Sequence, residues 1–111
     1  MQSLFKTQSA RPVPLNVVRE PGTSTFYFAL PTTLRLGEVE AVMQCCKECS
    51  ERHGAQFQGM VTEEIASQEK SQPHYAARVL VWRRHEKEVV AGLQAILQQA
   101  LYVPVVPTYR Q

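Results

Sequence analysis

Three cysteines, Cys45, Cys46 and Cys49, lie within five positions of sequence, and His53 follows close behind. Thiols and an imidazole at such spacing could do redox or metal chemistry. Cys46-Lys47-Glu48-Cys49 matches C-x-x-C. A redox cysteine of that type sits at a helix N-terminus, where the dipole stabilises its thiolate. Here the pair falls in the second half of a helical pattern, near its negative end, and shares a stripe with Val39, Val42 and Met43. Buried structural thiols are the expectation. Cys46, Cys49 and His53 also share one helix face, but a zinc site needs about four ligands, usually as two separated pairs. His74 and His85 have no matching spacing. No metal and no cofactor are expected, and His53 is expected to cap the helix end.

Other catalytic patterns are missing. The sequence contains no G-x-S-x-G, no G-x-x-x-x-G-K-[ST] and no G-x-G-x-x-G, and its five glycines are dispersed. Glu63-Glu64 is an adjacent carboxylate pair at the start of a polar stretch, where a solvated turn is the simpler reading. Arg83-Arg84-His85-Glu86-Lys87 is the one basic cluster, directly after Trp82. Arg83, Arg84 and Lys87 are the candidate nucleic-acid contacts, although such a run more often solvates a strand-to-helix turn. The chain is not expected to be an enzyme.

Composition sets the frame for these residues. The chain has 111 residues, 44% hydrophobic and 20% charged, as a folded domain with one core requires. Twelve basic against ten acidic residues leave a charge of +2, which supplies no electrostatic argument for nucleic acid or membrane. The apolar run Val79–Trp82 falls far short of the ~20 residues of a membrane span. An odd, clustered cysteine set is a poor disulfide framework, and a reducing, cytoplasmic setting is expected.

The elements that must position these residues follow from periodicity. Residues 1–13 lack it and are expected to be a flexible arm, with a single domain over 14–111. Leu15–Arg19 is a candidate extra strand, followed by a turn at Pro21-Gly22. Thr25–Leu30, with Phe26, Tyr27 and Phe28, is a strand. A helix runs from Glu38 to His53, with Gly54 as its exit. Gln56–Thr62 alternates as a strand, weakened by Gly59, and Glu63–His74 reads as an exposed connection. Tyr75–Arg83 is the strongest strand. Glu86–Leu101 carries the apolar stripe of a second helix. Tyr102–Tyr109 is extended, with Pro104 and Pro107 excluding it from the middle of a sheet.

Strand, helix, strand, strand, helix, strand is the ferredoxin-like βαββαβ plan. It predicts a two-layer sandwich of a four-stranded antiparallel sheet with two helices on one face. If Leu15–Arg19 pairs as a hairpin with Thr25–Leu30, that sheet order changes. Alternation puts Phe26, Phe28, Leu30, Ala77, Val79 and Val81 inside. The bare face would then carry Tyr27, Met60, Arg78, Leu80 and Trp82, types enriched in binding hot spots.

In element order the chain resembles an RNA-recognition motif. Phe26-Tyr27-Phe28-Ala29-Leu30-Pro31 is similar to that family's first strand, and Val79-Leu80-Val81-Trp82, with Glu86, Ala91 and Ile96, to its third strand and second helix. The resemblance implies RNA held on the sheet. Yet the positions that would stack bases hold Ala77 and Val79, and Tyr75-Ala76 replaces the family's basic-residue–Gly pair. Nucleic acid is therefore not the favoured partner. The leading expectation is a non-catalytic protein-interaction module: a small subunit, assembly factor or regulatory protein that binds another protein or itself as a homodimer. A small-metabolite-binding regulatory domain is the remaining alternative.

Overall fold

The computed structural model describes residues 12–65 and 71–110. The expected arm over residues 1–13 lies outside them, except for Pro12 and Val13. Strand β1 (Val13–Glu20) opens the fold, and its inward residues Val13, Leu15 and Val17 are buried. Pro21 and Gly22 turn it into β2 (Thr23–Ala29). Gly22 takes a φ of +81°, so proline followed by glycine has the pattern of a type II turn.

Helix α1 (Leu36–Arg52) starts with the Arg35 N–H donating to Glu38 Oε1 at 2.9 Å. It stops at Gly54, whose φ of +74° is a left-handed exit. The hairpin β3 (Gln56–Ile65) and β4 (Ser71–Trp82) comes next. A short turn over Arg83–His85 leads into α2 (Glu86–Leu101). The last strand, β5 (Val105–Arg110), follows Tyr102, a non-glycine residue with φ +57°.

The sheet order is β3-β4-β2-β1-β5. All neighbours are antiparallel except β1 and β5, which run parallel from Val13↔Val105 to Val18↔Arg110. The four-stranded antiparallel sheet expected from the pattern is thus corrected to a five-stranded mixed one. The Leu15–Arg19 segment does pair with the first aromatic strand. Its alternating Val13, Leu15 and Val17 gain a buried face by wedging between β2 and β5. Pro14 is tolerated there because the β1–β2 ladder begins only at Asn16↔Tyr27.

The expected connection over Glu63–His74 is corrected too. Both of its ends belong to the β3–β4 ladder, from Thr62↔His74 to Ile65↔Ser71, while residues 66–70 lie outside the described residues. The β2–β4 ladder ends at Ala29↔Ala76, so these rows extend past the rest of the sheet. Pro73 sits beyond the last β2–β4 pair, where β4 has no second neighbour among the described residues. Gly59 and Pro107 do fall in the edge strands β3 and β5, and Pro104 lies just before β5.

Both helices contribute to one core with the inward residues of the sheet. Phe26, Leu15, Val17, Val79, Val81, Val89, Leu93 and Leu97 are fully buried. Burial of each such side chain is worth about 1.5–3 kcal/mol. Gln94 Nε2 donates to the Val105 carbonyl at 2.7 Å, and the Val105 N–H donates to Gln98 Oε1 at 3.0 Å. Side chains of α2 therefore fasten the start of β5. Among the described residues, no helix is long and apolar enough to cross a membrane.

The helices approach closely at Gly92, where a methyl group would lie 2.5 Å from Cys49 Sγ. Alanine gains about 1 kcal/mol over glycine in a helix, but overpacking costs about 1–3 kcal/mol. Gly92→Ala is expected to lower the melting temperature, and adding Cys49→Ala to it is expected to restore part of the loss. A Gly92→Ala variant that melts higher than wild type would show that the helices have room to spare.

Candidate functional site

The face of the sheet turned away from the helices is built in rows. Asn16, Tyr27, Arg78 and Gln58 form one row across β1, β2, β4 and β3. Val18, Thr25, Leu80 and Gln56 form the next, and Thr23 and Trp82 end the ladder. Ala29, Ala76 and Met60 flank the Tyr27 row on the other side. Since β1 lies within the sheet, it does not cross this face.

Tyr27 is 38% exposed, Leu80 39% and Trp82 53%, with Arg78 exposed and Met60 half-buried. These five residues share the surface that alternation assigns to them. Arg78 Nη2 donates to Gln58 Oε1 at 2.8 Å, which ties the guanidinium to its neighbour on β3. The Arg84 guanidinium lies 5.6 Å from the centre of the Trp82 ring, a cation–π contact. An open depression of about 520 Å³ is lined by Tyr27, Arg78, Leu80, Gln56, Gln58 and Glu20.

The basic cluster does not act as one patch. Arg83 is turned back into the fold: its Nε donates to Ser24 Oγ at 3.1 Å, and its Nη2 donates to the Glu20 carbonyl. Arg84 leans over Trp82, and Lys87 is exposed in the first turn of α2. Only Arg84 of the three therefore joins the open face.

Cys46 and Cys49 are packed into the helix layer, whereas Cys45 is exposed. Cys46 is fully buried and Cys49 nearly so, and all three are free thiols. Burial pushes the Cys46 thiol up to about 12 and raises that of Cys49, against the opposing charge of Arg52. Neutral, enclosed thiols are poor nucleophiles. His53 Nδ1 lies 3.3 Å from the Cys49 carbonyl, at the end of α1. Among the described residues, no three His, Cys, Asp or Glu side chains are arranged to hold a metal ion.

One cluster was not visible in the sequence. Glu86 is buried at the start of α2, where Arg19 donates to it from Nε at 3.1 Å and from Nη2 at 2.6 Å. The hydroxyl of fully buried Ser24 donates to the same carboxylate, and Arg83 Nε lies 3.8 Å away. The forked bond from Arg19 holds the Glu86 carboxyl below its ordinary value; burial opposes this, and Ser24 and the two arginine charges reinforce it. No buried side-chain polar atom among the described residues lacks a partner. This cluster is a clamp that ties the β1–β2 turn to α2. No spacing rule links Arg19 to Glu86, so only the fold brings them together.

Neither a protein-family model, nor a curated protein, nor a solved structure matches the chain.

The clamp has a pH signature. A carboxylate whose folded value is depressed contributes its full stability above the unfolded value and loses it as pH falls through the folded one. Glu86→Gln is therefore expected to destabilise the domain at pH 7, by about 1–3 kcal/mol for a disrupted buried network. Its deficit should shrink progressively below the ordinary carboxyl value of 4.5. Urea unfolding of both proteins at pH 7, 5 and 3 measures this, and an equal deficit at all three would rule the clamp out.

Proposed function

We propose that this chain is a non-catalytic protein-interaction module, a small subunit, assembly or regulatory factor, that binds its partner through the open sheet face. The observation that carries the reading is Trp82, more than half exposed on a sheet face that no other described element covers and that also presents Leu80 and Tyr27. Trp, Tyr and Arg dominate binding hot spots, and grouped apolar exposure on a small domain marks an interaction surface. Arg78 supplies a fixed donor at the centre, and Met60 an adaptable apolar contact. The fold reads as a ferredoxin-like sandwich carrying an inserted strand, since dropping β1 from the order leaves β3-β4-β2-β5. Free thiols support a reducing compartment.

A nucleic-acid ligand is the second reading, favoured by the Arg84–Trp82 stack and by Arg78 beside Tyr27. The engagement of Arg83 with Glu20 and Ser24 argues against it.

Trp82 is the only tryptophan, so its fluorescence reports this face alone. The isolated protein is expected to emit to the red and to be quenched freely by iodide. A protein recovered with the tagged chain from its native cell should bind at least about tenfold more weakly to Trp82→Ala, with far-UV circular dichroism unchanged. Undiminished binding by a Trp82→Ala, Arg78→Ala double variant would overturn the reading. A salt-dependent shift of labelled single-stranded RNA, lost in Arg78→Ala, would transfer it to nucleic acid.

A further inference from the structure

The sheet has two edges, β3 and β5, and they are treated very differently. Strand β5 is six residues long, contains Pro107 and follows Pro104. Natural edges are blunted by such prolines, by lysines, by bulges or by being short. Strand β3 has none of these devices. It runs for ten residues, Gln56–Ile65, without Pro or Lys, and pairs with β4 in an unbroken register. Its outer backbone groups face no strand among the described residues. A row of that kind is satisfied by an added strand.

The side chains of β3 indicate which strand fits. Phe57, Gly59 and Val61 share the helix-side face, because they pair with Val79, Ala77 and Tyr75. Phe57 is half-buried, but Val61 is 62% exposed at the rim. A second β3 laid antiparallel, with a two-fold axis at Gly59, sets Val61 opposite Phe57 of the second copy, and Phe57 opposite its Val61. Aromatic and β-branched residues are favourable cross-strand partners. Gly59 leaves the axis free of side chains.

We propose that two copies of this chain join through β3, antiparallel about Gly59, into one continuous ten-stranded sheet. The open faces of the two copies then lie side by side and stay free, so this inference does not depend on what binds there.

Sedimentation equilibrium at about 100 µM chain tests the proposal, with the 12.6 kDa monomer as reference. The wild type is expected to show twice that mass, and Val61→Lys to dissociate at least about tenfold more readily. Val61 is exposed enough to accept the change, which far-UV circular dichroism checks. Trp82→Ala is expected to remain dimeric. In a Cys45→Ser background, Gly59→Cys is expected to cross-link to itself on oxidation, because paired strands hold facing Cα atoms within disulfide reach. A wild type that is monomeric at this concentration overturns the proposal. So does a dimer that survives Val61→Lys but falls apart in Trp82→Ala, since it would be joined face to face. A dimer with no Gly59→Cys cross-link overturns the antiparallel axis.

Discussion

The register of β2 against β4 is the constraint from which the rest of the structure follows. Pairing Phe26 with Val79 and Phe28 with Ala77 places the two phenylalanines of β2 and the small apolar residues of β4 on the side the helices cover. The same register puts Tyr27 beside Arg78 and Thr25 beside Leu80 on the other side. A slip of one residue would exchange the two sets and bury a guanidinium beneath two helices. The composition of the open face is thus tied to that of the core. Five strands offer two surfaces, and the two helices cover one of them.

The end of the sheet that carries Trp82 is unusually well braced. The Arg83 N–H donates to the Gly22 carbonyl at 2.9 Å, and the Arg83 side chain reaches the Glu20 carbonyl and Ser24. Arg19, Ser24 and Glu86 then lock the β1–β2 turn to the first turn of α2. The backbone that presents the indole is held from both sides, while the ring stays in solvent under Arg84. A contact residue on a fixed mount has less freedom to lose on association than one on a loop.

Much of this was legible in the residues themselves. The second helix begins at Glu86 and ends at Leu101, as its apolar stripe implies. The inward and outward sets of β2 and β4 follow from alternation alone. What escaped was long-range or freed from the core. Leu15–Arg19 has the alternation of a strand, but nothing local says that it lies between β2 and β5. Glu63, Glu64 and the residues around Pro73 look like a loop because their sequence is polar, although their backbones pair in the β3–β4 ladder. Glu86 reads as a helix-start carboxylate interacting with the dipole, and its partner Arg19 lies 67 residues earlier. Arg83 resembles a surface cation until the turn it anchors is in place.

Placing β1 beside β5 has a mechanical consequence. The first and last described strands run side by side in the same direction, from Val13↔Val105 to Val18↔Arg110. Tension applied through Val13 at one extreme and Arg110 at the other acts along this seam in shear. All of its rungs then share the load at once, rather than parting one after another like a zip.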